Sequence, residues 1–255
     1  MRSNTSRSSV QAVERTFSLL TALKELDGAG IADLADHTGY ANSTIHRHLT
    51  TLHDIGYVTK EGTTYNLSLG FLDFGEYART RKEIHRVAKP KIEELAAETN
   101  ERCQFVVEEH GYGVYVHVAT GQHAVETDSR VGTRLYLHAT SVGKAILAHL
   151  PAHRVDEIID QRGLPQITQN TVTDRDALFA ELEQIRADGI AWNREGNVDG
   201  LLSVGSPIIG PDGDVVGSVS VSGPRYRMDR EQFGREVGEL LLGAANEIEL
   251  KLKYQ

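Results

Sequence analysis

Between Ala41 and Leu67 the chain reads Ala-Asn-Ser-Thr-Ile-His-Arg-His-Leu-Thr-Thr-Leu-His-Asp-Ile-Gly-Tyr-Val, then Thr-Lys-Glu-Gly-Thr-Thr-Tyr-Asn-Leu. No other segment restricts the fold as much. Ile45, Leu49, Leu52 and Ile55 recur at helical spacing, which predicts one buried stripe. The opposite face carries Ser43, His46, Arg47 and Thr50, with Thr44 beside them, and each of these side chains can hydrogen-bond a phosphate or a base edge. Gly56 stops the helix, and two short strands hinged at Glu61-Gly62 follow. Small hydroxyls and one arginine on a helix, followed by a hairpin, suit a winged helix-turn-helix entering the major groove of double-stranded DNA. A small helical domain with an ordinary polar face would show the same periodicity, so the preceding residues matter.

Those residues supply the rest of the module. Val10, Val13, Phe17 and Leu20 fall on one face of a first helix, with Ser8 or Ser9 placed to cap it and Gly28-Ala-Gly30 to end it. Ile31-Ala-Asp-Leu-Ala-Asp-His-Thr38 makes a short second helix, and Gly39-Tyr40 is the tight turn before the groove-facing one. Residues 1–68 thus read as a winged helix-turn-helix DNA-binding domain.

A chain of 255 residues is more than one core usually organises, so a second domain is expected. No run of about 18 apolar residues suggests a membrane span. The polar N-terminus lacks the apolar segment of a secretory signal. The single cysteine, Cys103, forms no intramolecular disulfide, and a reducing cytoplasm is expected. The net charge of −9 is unusual for a DNA binder. Residues 1–85 hold nine Lys/Arg against ten Asp/Glu, and the remainder 18 against 26, so the acidity sits mostly in the second part. Long-range attraction to DNA is therefore weak, and local contacts must dominate. Eight lysines against 19 arginines, with abundant acidic residues, suit a high-salt cytosol.

Leu69–Ile84 reads as a helix linking the domains, with Phe71, Phe74 or Gly75, and Ala78 inward. Pro90 then opens a helix through Thr99. Beyond it the pattern alternates. Cys103–Glu109, Val114–Ala119 and Ala124–Ser129 read as strands. Ser141–Leu150, Val155–Gln161 and a segment capped near Thr173 and running to Arg186 read as helices. Gly200–Ile209 and Val215–Ser222 form a hairpin across Pro211-Asp-Gly213. A helix from Asp229 to about Leu252 completes an α+β domain over residues 85–255.

Several motifs admit chemistry. Ser141-Val-Gly-Lys144 has the Ser-x-x-Lys form of a serine acyl-transfer site, but the partner motifs Ser-Asp-Asn and Lys-Thr-Gly are absent, and Ala139 stands where a nucleophile elbow wants glycine. His138–Lys144 reads better as a strand-to-helix junction whose free N–H groups hold an anion. It is no phosphate loop, because Ala145 replaces the needed Ser or Thr. His46, His48 and His53 are explained by the DNA-reading helix. Pro151 separates His149 from His153, so no metal is expected. Trp192 is either a packing aromatic or a pocket wall.

Taken together, the chain resembles the IclR family of transcriptional regulators over essentially its full length. Ser9–Leu20 is similar to that family's first helix, and Ser43–Val58 to its recognition helix. Leu137–Ala148, Asp199–Ile209 and Gly217–Pro224 complete the likeness. The resemblance implies an N-terminal winged helix-turn-helix and a C-terminal GAF-like α/β effector-binding domain, assembled as a homodimer or homotetramer, with no cofactor. In relatives that sense small carboxylates such as pyruvate or glyoxylate, the pocket positions match Ser141, Val142, Asn193, Leu201, Ser203, Ser220 and Ser222 here. Asn193 stands where those sensors carry an acid and Ser203 where they carry a thiol, which implies a changed effector. Independently of the resemblance, Ser220 and Ser222 lie two apart on a strand and so share one face. The expected function is a ligand-responsive, sequence-specific transcription regulator of sugar or organic-acid metabolism. Two rivals are a small-molecule enzyme using Ser141 and Lys144 behind an N-terminal interaction module, and a DNA-binding architectural protein that senses nothing.

Overall fold

A computed structural model of the chain describes residues 9–127, 129–229 and 231–254, the side chains of 231–233 excepted. The chain divides into two compact units, 1–78 and 79–255.

The first unit holds helices α1 (Gln11–Glu25), α2 (Ile31–Thr38) and α3 (Asn42–Asp54), then strands β1 (Val58–Glu61) and β2 (Thr64–Leu67). The strands pair antiparallel from Val58↔Leu67 to Glu61↔Thr64 around Gly62, whose φ of 61° suits glycine. Ile45, Leu49 and Leu52 are buried as the stripe requires, together with Leu19, Leu23, Leu34, Val58 and Tyr65. Ile55 is not: the helix ends at Asp54, and Ile55 is 60% exposed. The first helix also departs from its expected face. Leu19, Leu20, Ala22 and Leu23 are its buried residues, while Val10, Val13 and Phe17 lie in solvent. Its N-cap is Val10 with no side-chain bond, so Ser9 does not cap it; Ser8 lies outside the described residues.

The expected connector helix is two helices. The first, α4 (Phe71–Thr80), buries none of its side chains. Phe71 and Phe74 lie against the Tyr57 ring, at 5.1 and 5.7 Å between centroids, and Phe71 also packs at the border of the first unit's core. The next, α5, runs from Glu83 to Thr99, so Pro90 lies inside it rather than opening it. The i−4 carbonyl that this proline leaves without a donor belongs to Arg86; both residues are exposed, so water can serve it.

The second unit is built on one antiparallel sheet in the order β5-β4-β3-β8-β7-β6. Its strands are β3 (Arg102–Glu109), β4 (Tyr112–Thr120), β5 (Arg134–Leu135), β6 (Ala191–Arg194), β7 (Leu201–Ile209) and β8 (Val215–Pro224). The expected hairpin is β7–β8, closing at Ile209↔Val215. The expected strand over 124–129 does not form: its described residues are irregular, and the place beside β4 is taken by β5. On one face α5 and α10 (Glu231–Tyr254) cover Phe105, Val204, Val219 and Val221. On the other, α6 (Ser141–His149), α7 (Ala152–Arg162) and α8 (Arg175–Asp188) enclose Val106, Ile146, Leu147 and Leu178. Asp174 rather than Thr173 caps α8, accepting from the Ala177 N–H at 2.8 Å. A short helix, α9 (Arg225–Met228), precedes α10.

Three buried histidines carry a pH signature. Burial pushes His85, His117 and His138 below the ordinary histidine value, although each is bonded to a backbone carbonyl, of Arg79, His85 and Pro165 respectively. The unfolded chain therefore binds more protons than the folded one once pH drops below about 6.5. Stability is complete above that point and is lost as pH falls through the folded values, by up to about 1.4 kcal/mol per pH unit for each histidine. Chemical denaturation at about pH 7.5 and pH 5.5 should show the lower midpoint at the lower pH, with a smaller gap in His117→Gln; equal midpoints would contradict this.

Candidate functional sites: a groove-facing helix and an oxygen-lined cavity

In the first unit, α3 keeps Ser43, His46, Arg47 and Thr50 exposed and Thr44 half-buried. His46 Nδ1 and Thr50 Oγ1 lie 3.5 Å apart, and the Thr51 hydroxyl donates to the Arg47 carbonyl at 3.0 Å. The N-cap of the helix is Ala41, so the Ser43 hydroxyl is not spent on capping. His48 differs from its neighbours. It turns toward α1, meets Thr16 Oγ1 at 2.9 Å, and is held below the ordinary histidine value by burial and by Arg47 and Arg15. The α2–α3 turn rests on Gly39, at φ 72°.

In the second unit, all seven pocket residues expected from the resemblance surround one small cavity of about 50 Å³ that opens to solvent. Its floor is sheet: Gln104 on β3, Ser220 and Ser222 on β8, Leu201 and Ser203 on β7, and Asn193 on β6. Ser203 pairs directly with Asn193 and Ser222 across the ladder. One wall is the start of α6, where Thr140 caps the helix by accepting from the Gly143 N–H at 3.1 Å. The N–H groups of Ser141 and Val142, in the first turn, have no carbonyl partner within the helix. Gly205 lets that helix start approach the sheet: a Cβ there would lie 2.8–2.9 Å from the Ser141 and Val142 backbone.

The polar groups of the floor satisfy one another. Ser141 Oγ donates to Ser203 Oγ at 2.8 Å, Ser220 Oγ to Gln104 Oε1 at 2.5 Å, and Gln104 Nε2 to Ser222 Oγ at 2.9 Å. Sequence reading missed Gln104, Tyr115, Thr127, Ser129, Thr140, Asn197 and Val198, which also line the cavity. Gln104 left a trace, as the one polar residue in Cys103-Gln-Phe-Val-Val107. Thr140 sits in the His138–Lys144 junction, next to Ser141, whereas the others come from loops and distant strands, and nothing local marks them. Trp192 is not among the lining; it is half-buried against the sheet core, with Arg194 over its ring.

Lys144 points elsewhere. Its Nζ pairs with Glu181 and donates to the Trp192 carbonyl at 3.1 Å, so it makes no contact with Ser141. Among the described residues, no group of three or more His, Cys, Asp or Glu is arranged to hold a metal ion.

The two units match two family models in the same order. Residues 12–62 match the IclR helix-turn-helix domain, and residues 77–250 match the bacterial transcriptional regulator IclR C-terminal domain. The chain belongs to the IclR family. It is 31% identical to the probable HTH-type transcriptional regulator ArcR of Halobacterium salinarum, over 96% of this chain and 94% of that one. It is 29% identical to the HTH-type transcriptional regulator KdgR of Escherichia coli, with the same coverage. The crystal structure of Thermotoga maritima IclR superposes with a TM-score of 0.81 at 27% identity, covering 96% of this chain and 99% of that one. The protein is thus an IclR-type, DNA-binding transcription regulator with a GAF-like effector-binding domain. No helix among the described residues is long and apolar enough to cross a membrane.

The Gly205 contact tests the geometry of this IclR effector domain. Gly205→Ala should push the start of α6 off β7 and cost about 1–3 kcal/mol. For a unit of this size that lowers the thermal midpoint by several degrees, at roughly 2–4 °C per kcal/mol. Thermal unfolding of the variant checks this, and an unchanged midpoint would mean the junction is not tight.

Proposed function

We propose that the second unit is the sensor of this regulator and that the oxygen-lined cavity is its effector site. The observation that carries the reading is the convergence of Ser141, Val142, Asn193, Leu201, Ser203, Ser220 and Ser222 on one cavity. Hydroxyls, amides and open helix-start N–H groups suit a small oxygen-rich metabolite such as a sugar acid or short keto acid. That in turn suits control of genes of sugar or organic-acid metabolism. Among the described lining residues none is Asp, Glu, Lys or Arg, so a multiply charged ligand would find no counter-charge among these.

DNA recognition is assigned to Ser43, Thr44, His46, Arg47 and Thr50, with Arg47 as the base-reading side chain and Ser43 as a phosphate contact. Effector binding favours one arrangement of the assembled chains, and the 69–84 segment passes that bias to the DNA-binding heads. The regulator acts in the cytoplasm, where its operator lies; the Halobacterium relative makes the high-salt reading of its acidic composition worth keeping. Catalysis at Ser141 is not favoured, because the Ser141 hydroxyl meets Ser203 while Lys144 is bound by Glu181 and the Trp192 carbonyl.

One operator-binding experiment, run with and without candidate sugars and organic acids, tests both sites. Arg47→Ala should weaken binding by about 1–3 kcal/mol and relax one position of the site. Ser220→Ala and Ser222→Ala should leave ligand-free binding intact and abolish the metabolite's effect. Unchanged affinity in Arg47→Ala removes the assignment of that helix face. An undiminished metabolite effect in both serine variants removes the cavity.

Assembly as a homodimer or homotetramer is supported by apolar side chains that one chain leaves in water. Leu69 and Leu72 are 81% and 66% exposed, Phe74 59% and Tyr77 70%. Analytical ultracentrifugation at native salt should show at least a dimer; a monomer at micromolar concentration would defeat the proposal.

A further inference from the structure

One side chain sets which atoms of the cavity floor can donate and which can only accept. Gln104 on β3 stands directly opposite Ser220 in the ladder, and Arg102 stands opposite Ser222. Ser220 and Ser222 leave the same face of β8, so the Gln104 amide meets both of them. Its oxygen accepts from the Ser220 hydroxyl at 2.5 Å, and its nitrogen donates to the Ser222 oxygen at 2.9 Å. The Ser222 proton turns to the Arg102 carbonyl, at a loose 3.4 Å. A carbonyl can only accept, so the donors run one way, from Ser220 to Gln104 to Ser222 to Arg102. That direction distinguishes the two ends of the amide, which have nearly the same shape.

The two serines therefore offer a ligand different chemistry. Ser220 has given its only proton to Gln104 and presents lone pairs. Ser222 holds its proton in a long bond, which a ligand oxygen can replace. Turning the Ser220 hydroxyl round would free its proton but leave the Gln104 oxygen without a donor, in a residue only 5% exposed. All three side chains line the cavity, so any occupant meets this pattern. A carbonyl oxygen placed against Ser220 sets lone pair against lone pair, whereas a hydroxyl placed there donates.

We propose that Gln104 is a specificity-determining residue of the effector site: it makes Ser220 an acceptor only, so the effector is a hydroxylated metabolite whose O–H points at Ser220. This rests on the cavity being the effector site. It divides the oxygen-rich ligands that suit the cavity by hydrogen-bond polarity rather than by charge. A hydroxy compound is taken, and the keto compound of the same skeleton is refused.

The test uses the full-length protein and pairs of probes that differ only in carrying a hydroxyl or a carbonyl at one carbon. These are both enantiomers of lactamide against pyruvamide, and both enantiomers of lactate against pyruvate. Titration calorimetry should show at least one hydroxy probe binding about tenfold or more tighter than its keto partner. Gln104→Met removes the acceptor of the Ser220 proton, and the preference should then fall to within about threefold. A merely structural role for Gln104 would weaken both members of a pair alike and leave their ratio unchanged. Should Gln104→Met fail to fold, the comparison of hydroxy with keto probes on the unmodified protein decides. Equal or tighter keto binding, an unchanged ratio in Gln104→Met, or binding of no probe overturns the proposal. Tighter keto binding that is lost in Ser220→Ala and Ser222→Ala sinks this inference alone. If both serine variants keep the binding, the cavity reading fails as well.

Discussion

The effector domain depends on how closely the start of α6 approaches the sheet. Gly205 removes the Cβ that would collide with the Ser141 and Val142 backbone, and Gly143 does the same against Leu137, whose carbonyl oxygen a Cβ would approach to 2.1 Å. Once the helix is seated, Lys144 clamps it from behind through Glu181 and the Trp192 carbonyl. That lysine is nearly buried, so removing either partner would strand a charge and cost more than the pair contributes. The cavity exists because a helix start, with its unsatisfied N–H groups, is held at this height above a serine-rich floor.

How much of this is legible in the chain depends on the range of the interaction involved. The groove-facing helix is legible because Ile45, Leu49 and Leu52 are periodic over a single element. Ile55 continues the period but falls past the last helical turn, where periodicity no longer describes the backbone. In α1 both faces carry apolar residues, so the pattern alone could not choose Leu19 and Leu23 over Val13 and Phe17. Pro90 looks like a helix start because prolines favour first turns, and only its solvent-exposed position makes an interior place tolerable.

The cavity is a different matter. Gln104 bonds Ser222 across 118 residues of sequence, and Ser141 bonds Ser203 across 62. No local pattern encodes such pairs. Seven of the lining positions became visible through family resemblance, whereas Tyr115, Thr127 and Ser129 required the fold. The stretch 124–129 has the residue types of a strand but takes no place in the ladder, where β5 pairs instead.

The two ends of the six-stranded sheet have a further implication. One edge is β5, two residues long, and the other is β6, four residues long. Short edge strands are one of the devices that protect a sheet from an incoming strand. Were copies of this chain to associate through side chains on helices rather than through the sheet, single substitutions could tune or abolish that association and leave the hydrogen-bonded ladder untouched.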